Sequence, residues 1–253
     1  MKLDLILKKL INWPELENTV LWPYPAQLQF RIFVKNKIRE IIKFNDVVLD
    51  IGTCEDRWRV DCVSKGAQYI TLDYIEWVSV YQNNVRKIKY VQPDLYGDCR
   101  SLAFLESSIN VILLFDVLEH IDTPHKALRE IISCLKPGGK LILTVPWFLE
   151  IHGGVEGEDD WFRFTPRGLR ELAIQNSVSD IQILKLGGFG SSLITIMAGF
   201  FIRNLVYRGI FTKPIWIVFG VIVILLLRTI RRMVDHLDRA GRNPTMLMMV
   251  VTK

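Results

Sequence analysis

Cysteine and histidine are scarce in this sequence. The four cysteines, Cys54, Cys62, Cys99 and Cys134, contain no CxxC pair, and the four histidines offer them few partners. Zinc ribbons and disulfide scaffolds need closely spaced or paired cysteines, so both classes are excluded. We therefore predict buried thiols in a reducing compartment and no metal site.

Acidic residues are missing from one long segment. Between Ile181 and Val234 there are seven basic residues and no acid, although the whole chain carries a net charge of only +5. Basic charge confined to a hydrophobic segment indicates anionic lipid headgroups. Elsewhere the chain has no basic stripe with interleaved aromatic residues, which excludes nucleic acid as a partner. We predict an anionic membrane surface as a partner instead.

The phosphate-binding glycines of a dinucleotide site are also missing. Residues 46–51 form a short apolar run that is typical of a central parallel strand, and Gly52 permits a tight turn after it. The second and third glycines of the dinucleotide fingerprint do not follow; the turn continues Thr53-Cys54-Glu55-Asp56-Arg57. Acids here would repel a pyrophosphate, which needs bare backbone N–H groups. A cationic sulfonium suits such a turn better, which favours S-adenosylmethionine over NAD or ATP.

A second acid, at the end of the next predicted strand, also points to a cofactor site. Asp73 ends the next strand-like run, residues 69–72, at about the spacing where an acid holds ribose hydroxyls. Two interpretations stay open on this evidence. One is a cofactor site, and the other is a plain strand–turn–helix in which Asp50 merely caps the turn.

Strands and helices alternate along the chain. Thr123-Pro124 and Thr165-Pro166 each supply an N-cap followed by proline at the first helical position, and residues 27–43 and 57–65 predict two earlier helices. The later predicted strands are 89–91 (weak), 111–115, 141–145, 181–184 and 246–251. This alternation predicts a parallel, doubly wound α/β sheet.

Six short motifs occur in one order between about residues 46 and 175. They are Asp50-Ile51-Gly52, Asp73, GDCRSLAF at 97–104, FDVLEHI at 115–121, LKPGG at 135–139 and DWFRFTP at 160–166. With these motifs the chain resembles the class I S-adenosylmethionine-dependent methyltransferases, particularly the type 11 methyltransferase-domain group. The resemblance implies a doubly wound, mostly parallel seven-stranded sheet and S-adenosylmethionine as the cofactor.

The resemblance also implies the cofactor contacts. They are Asp50 and Gly52 for the methionine end, Asp73 for the ribose hydroxyls, Asp98 for the adenine amino group, and the backbone of Phe115 and Asp116 for the methionyl side. The chain departs from the family at Cys54 and Asp56, where glycines are usual. This departure keeps a second hypothesis open, a catalytically inactive methyltransferase-fold scaffold or binding protein at the membrane.

Two histidines are candidate general bases. Methyl transfer is an in-line displacement, so a base is needed only when the acceptor must lose a proton. His120 and His152 follow strands 4 and 5, at the edge where ligands bind in open α/β sheets. A packing or capping role is the alternative for His120, and Glu119 is interpreted as structural.

The loop after strand 5 mixes aromatic and charged residues. Trp147, Asp160, Trp161 and Arg163 would suit the polar head of an acceptor, although such residues also simply solvate a loop. We treat these four as candidate substrate-binding residues.

A hydrophobic insert occupies residues 189–240, where the family has a short hairpin between strands 6 and 7. It holds two apolar runs, 189–202 and 214–227. The second would give about 21 Å of helix against a bilayer core of roughly 30 Å. Because strand 7 must return to the sheet, both ends of the insert stay on one side of the membrane. Its arginines translocate poorly, which predicts a hairpin on the cytoplasmic leaflet; a buried core hairpin or a dimer interface is the alternative.

Four segments result: an N-terminal helical segment at 1–45, the α/β domain at 46–188, the insert at 189–240 and a final strand at 241–253. Lys8-Lys9 interrupt any export signal in the amphipathic stretch 1–13. The predicted function is a membrane-associated methyltransferase facing the cytoplasm. It would O-methylate a small-molecule, lipid-linked or amphiphilic acceptor.

Overall fold

The structure is a computed structural model. It describes residues 25–53, 56–76, 91–149, 151–152, 159–176, 178, 180–201, 222, 226, 231, 233–238 and 241–253. By its contacts the chain divides into two compact units, one of Met1–Ile32, Phe148–Glu150 and Lys185–Met246, the other of Phe33–Trp147, Ile151–Leu184 and Leu247–Lys253. The helix predicted at 1–13 lies outside the described residues, and the predicted four-segment division stays a prediction.

The described elements alternate as the sequence pattern predicts. They are α1 (Pro25–Ile41), β1 (Val47–Ile51), α2 (Arg59–Val63), β2 (Gln68–Asp73), β3 (Leu95–Tyr96), β4 (Ile109–Phe115), a 3₁₀ helix (Leu118–His120), α3 (Pro124–Cys134), β5 (Leu135–Pro146), α4 (Pro166–Ile174), β6 (Asp180–Leu186), α5 (Phe189–Phe201) and β7 (Met246–Thr252).

The seven strands form one sheet in the order β3-β2-β1-β4-β5-β7-β6. β1 pairs in parallel with β2 and β4, β2 with β3, and β4 with β5. The N–H of Lys253 donates to the carbonyl of Gly139 at 3.0 Å, so the end of β7 lies beside the beginning of β5 and β7 runs antiparallel to it. The predicted mostly parallel, seven-stranded α/β fold is confirmed.

The centre of the sheet is buried because its strands are apolar on both faces. Leu49 in β1 and Ile112, Leu113 and Leu114 in β4 are fully buried. Runs of this kind are typical of parallel strands covered by helices on both sides. The switch point, where the strand order reverses, falls between β1 and β4, and ligands bind at such points in α/β sheets.

One of the two predicted N-caps is present. The Thr165 hydroxyl accepts a hydrogen bond from the N–H of Gly168 at 2.9 Å and caps α4. Thr123 forms no such bond at the start of α3. Its hydroxyl donates to Asp122 Oδ1 at 3.0 Å instead, which removes it from the helix end.

The predicted third strand at 89–91 falls mostly outside the described residues, which omit 89 and 90; Val91 is not in a strand. The third strand that the structure describes lies at Leu95–Tyr96. Pro137-Gly138-Gly139, in the LKPGG motif, lies within β5. A register shift between Ile109 and Val111 accommodates these residues, so the strand begins directly where the helix ends.

Helix α5 covers most of the first apolar run of the insert. The second run lies outside the described residues except for Ile222 and Leu226. Within the part of the chain that the structure describes, no helix has the length and apolar character to cross a bilayer.

Candidate active site

A cavity of about 420 Å³ opens at the carboxyl ends of β1, β2 and β4. This is the switch-point edge of the sheet, and the volume is within the usual range of small-molecule sites. Acids dominate its described walls, which carry a single arginine, Arg100. The acids are Asp73, Glu76, Asp98, Asp116, Asp122 and Asp159. Such a wall favours a cationic ligand over an anionic one.

Gly52 forms the floor of the cavity beside β1. Its N–H donates to the carbonyl of Leu72 at 2.8 Å, and its φ of +77° lies in the left-handed region. A Cβ at this position would lie 2.3 Å from Cγ2 of Val117, in the segment after β4. Both the conformation and the close approach therefore require glycine.

Asp56 shows how the turn tolerates the loss of a family glycine. Its φ of 52° is also left-handed, the conformation that glycine adopts most easily. Aspartate is one of the few other residues that visits this region. Its carboxylate accepts a hydrogen bond from Nε of Arg59, three residues on, and Asp56 does not line the cavity. The turn thus keeps a glycine-like backbone without placing this acid at the ligand.

Asp50 is buried away from the cavity wall. Only 3% of it is exposed, and its Oδ2 accepts hydrogen bonds from the hydroxyls of Tyr69 and Thr53. Burial is the main cause that raises the pKa of Asp50 to about 7. The structure therefore gives this carboxyl internal donors and does not bring it together with the other predicted cofactor residues.

Asp73 and Asp98 do meet at the cavity. Asp73 ends β2, and its Oδ1 accepts from the N–H of Tyr74 at 2.8 Å. The guanidinium of Arg100 joins Asp98 to Asp122, with Nε 2.9 Å from Asp98 Oδ2 and NH1 2.7 Å from Asp122 Oδ1. Burial acts to raise the pKa of Asp98, but the hydrogen bonds from Arg100 outweigh it and leave this pKa below its usual value.

Asp116 lines the same cavity from the end of β4. Its φ of 55° is left-handed, and its Oδ1 accepts from the Thr144 hydroxyl at 2.9 Å. Burial raises the pKa of this carboxyl. The neighbouring Phe115 does not line the cavity; its ring lies edge-on to Trp58 with the centroids 5.5 Å apart.

The two candidate bases lie next to each other. The rings of His120 and His152 are perpendicular, with centroids 5.0 Å apart. Nδ1 of His120 is 2.9 Å from the carbonyl of Asp159, and Nδ1 of His152 is 3.3 Å from Oδ2 of Asp160. His120 also lines the cavity, and burial lowers its pKa, which favours the neutral imidazole.

Glu119 is the residue that the sequence argument underrated. It is completely buried, and neither carboxyl oxygen has a hydrogen-bond partner among the described residues. Burial raises its pKa well above the usual value. Its Oε1 lies 3.8 Å from Nε2 of both His120 and His152. The signal in the sequence was an acid beside a histidine in an otherwise apolar strand end.

The four candidate substrate residues divide into two groups. Trp161 lines the cavity and is 57% exposed, which leaves its ring accessible to a ligand. Asp160 pairs with Arg163, whose NH2 is 2.6 Å from Oδ2, and the same oxygen accepts from the N–H of His152 at 2.9 Å. Trp147 is half-buried against the core. Asp160 and Arg163 thus hold the loop, and Trp161 faces the ligand space.

Solved structures share this fold. A complex between the Haloferax volcanii Trm112 methyltransferase activator and a methyltransferase has a TM-score of 0.54 at 18% identity, covering 89% of this chain and 92% of that chain. A SAM dependent methyltransferase from Archaeoglobus fulgidus has a TM-score of 0.52 at 15% identity, covering 88% and 94%. Haemonchus contortus phosphoethanolamine N-methyltransferase 2, in complex with S-adenosyl-L-methionine, has a TM-score of 0.50 at 16% identity, covering 94% and 59%.

The sequence itself matches a family model described as a methyltransferase domain over residues 30–175. A comparison with curated proteins gave no match. The family match covers more than half of the chain, spans β1 to α4 and includes every residue that lines the cavity. The chain therefore belongs to the methyltransferase-domain family, and the predicted class, an S-adenosylmethionine-dependent methyltransferase of the class I fold, is confirmed.

Proposed function

We propose that this chain transfers the methyl group of S-adenosylmethionine to an oxygen of a lipid-linked or amphiphilic acceptor. The observation that carries the proposal is the acid-lined cavity at the switch point, with His120 in its wall. The acceptor space lies beside Trp161, and the histidines next to it offer a way to activate a hydroxyl. Activation of this kind is needed for oxygen acceptors, which must lose a proton.

The residues present fit the cofactor. Asp73, at the end of β2, and Asp98 both line the cavity. By the family resemblance Asp73 would accept hydrogen bonds from the ribose hydroxyls and Asp98 from the adenine amino group. Gly52, which lines the same cavity, lets Val117 approach its backbone closely where a Cβ could not stand. When bound, S-adenosylmethionine supplies an electrophilic methyl group on a cationic sulfonium, and the six wall acids are the complementary charge.

The cofactor assignment is tested by titrating S-adenosylhomocysteine calorimetrically into wild type and Asp73→Asn. We expect the variant to bind at least tenfold more weakly, a loss of about 1.4 kcal/mol or more. Glu171→Gln, at an exposed acid on α4, is the matched control and should bind like wild type. Equal affinities for wild type and Asp73→Asn would contradict the assignment. No heat in any of the three proteins would favour the inactive-scaffold hypothesis.

The membrane part of the proposal is supported by the insert. Its sequence is apolar and basic without acids up to Val234, and α5 leaves three large apolar side chains exposed. These are Phe189, Ile196 and Phe200, at 45%, 42% and 60% exposure. Contact with the cytoplasmic leaflet would bury them and hold the α/β domain near an amphiphilic acceptor.

Flotation with anionic liposomes tests this part. Replacing Phe189, Ile196 and Phe200 together by serine should lower the floating fraction severalfold, because three exposed apolar contacts with lipid are lost. Leu105→Ser is the matched control, since Leu105 is 82% exposed outside the insert. An unchanged floating fraction for the triple variant would show that α5 is not the contact.

A further inference from the structure

A buried carboxyl without donors lies between two imidazoles. Glu119 is fully buried, and its two oxygens have no hydrogen-bond partner in the described part of the chain. A buried polar group in this state costs roughly 1–3 kcal/mol, and more when it is charged. A cation between Glu119 and the histidines would remove this cost.

The distances suit one metal ion. Nε2 of His120 and Nε2 of His152 are each 3.8 Å from Oε1 of Glu119, and the three ligand atoms lie within 4.8 Å of one another. Two atoms bound to one zinc ion at about 2.1 Å each can be at most about 4.2 Å apart. The Glu119 pairs fall inside this limit, and a small closure of the two rings brings in the third pair.

The orientation of each imidazole is set by an oxygen that contacts its Nδ1. The carbonyl of Asp159 can only accept, so its 2.9 Å contact fixes the proton of His120 on Nδ1. Oδ2 of Asp160 lies 3.3 Å from Nδ1 of His152, and Arg163 holds that carboxylate in place. With the proton on Nδ1, Nε2 of each ring carries the lone pair, and both Nε2 atoms lie 3.8 Å from Oε1 of Glu119. Backing by a carbonyl or a carboxylate is the usual arrangement for metal-binding histidines.

We propose that Glu119, His120 and His152 bind a divalent transition metal ion, with Zn²⁺ as the ion that the ligand set fits. Two histidines and one glutamate form a set typical of catalytic zinc, which keeps a further coordination position open. His120 also lines the cavity, so the proposed site borders the cavity at this residue.

This role rests on the proposed function. A hydroxyl oxygen of the acceptor would occupy the open position, where the bound ion would favour loss of its proton to solvent. The electron pair left on that oxygen would form the new O–CH3 bond as the S–CH3 bond of S-adenosylmethionine breaks, and the electron pair of the broken bond would stay on sulfur as S-adenosylhomocysteine forms. The two histidines then act as ligands and not as general bases.

The test is a titration of metal-stripped, full-length protein with Zn²⁺, read by competition with a chromophoric chelator. Wild type should bind one ion per chain, and Glu119→Gln and His152→Ala should each bind at least tenfold more weakly because a ligand is lost. His125→Ala is the control, since His125 is an exposed histidine on α3. Zn²⁺ should raise the unfolding temperature of wild type and control, and leave that of the two ligand variants unchanged.

Two results would overturn the proposal: no Zn²⁺ binding by wild type, or equal affinity in Glu119→Gln. S-adenosylhomocysteine titrations of the same metal-free proteins provide an independent readout. Unchanged affinity in the ligand variants shows that their cavity is folded. Absence of S-adenosylhomocysteine binding in wild type would contradict the proposed function. The Zn²⁺ titration would still decide whether the metal site exists.

Discussion

The ends of β1 and β4 lie on adjacent parallel strands, and a buried acid lies near each of them, Asp50 within β1 and Glu119 in the segment after β4. Each strand is followed by a turn with a left-handed residue, Gly52 after β1 and Asp116 after β4. The carboxyl of Asp50 accepts from two hydroxyls, whereas Glu119 has no donor among the described residues and faces two imidazole nitrogens. The first carboxyl has hydrogen-bond donors within the fold, and the second is the carboxyl that we propose to bind a metal ion. Two acids at the same edge of the sheet therefore differ in whether they are available to bind a ligand. The difference comes from the hydrogen-bond donors around each carboxyl and not from its position on the sheet.

Gly52→Ala should lower the free energy of unfolding the most, because the added Cβ enters the contact between Gly52 and Val117 that joins the two turns. A left-handed alanine costs about 1–2 kcal/mol, and the contact with Val117 adds roughly 1–3 kcal/mol of overpacking. We expect denaturant unfolding to show this loss. Adding Val117→Ala should recover part of it, and strictly additive losses in this double-mutant cycle would contradict the contact.

Asp50→Asn tests the buried carboxyl of β1 through the pH dependence of folding stability. In the unfolded chain Asp50 loses its proton near its ordinary pKa of 3.8, while in the folded protein it keeps the proton up to about pH 7. Between these values the unfolded state binds fewer protons, so this carboxyl makes folding less favourable as the pH rises, by about 4 kcal/mol in full.

The asparagine variant should therefore be about 2–4 kcal/mol more stable than wild type at pH 7, with a flatter dependence of stability on pH between about 4 and 7. Urea unfolding at several pH values measures both. Asp180→Asn, at an exposed acid, is the control. A variant that is less stable at pH 7 would show that the charged form of Asp50 is needed.

Arg100→Gln should give the smallest effect. Arg100 is the one arginine or lysine among the described residues of the cavity wall. It is paired with Asp98 and Asp122 at a partly exposed site. Its removal should cost less than about 1 kcal/mol of stability. The affinity for cationic S-adenosylmethionine, relative to uncharged-sulfur S-adenosylhomocysteine, should rise about two- to fivefold at low salt. Arg167→Gln, on the exposed face of α4, should leave this ratio unchanged.

The sheet was predictable because its signals are local. The run at 111–115 within β4 is apolar throughout, and Thr165-Pro166 marks a helix start, so neither signal depends on distant residues. Asp73 and Asp98 were predicted at the cofactor site from similarly local motifs, and both line the cavity. The internal donors of Asp50 could not be predicted, because Tyr69 reaches it only through the pairing of β1 with β2.

The grouping of Glu119 with His120 and His152 could not be predicted for a similar reason, although both histidines were predicted at this edge of the sheet. His152 is distant in sequence from Glu119 and His120, and only the folding of the loop onto the end of β4 brings the three ligand atoms together. The backbone carbonyl of Glu119 fixes that loop by accepting from the N–H groups of Trp161 and Phe162. No spacing rule in the sequence contains this contact, so the sequence argument predicted no metal site.

The place of β7 in the sheet has a consequence for biosynthesis. β7 follows β6 in the chain but lies between β5 and β6, so β6 has no neighbour in the sheet until Met246–Thr252 have been translated. The intervening apolar segment emerges from the ribosome during this interval. Under the proposed membrane contact, this segment would have time to reach a bilayer before the sheet is closed, and the docking of β7 would then complete the domain.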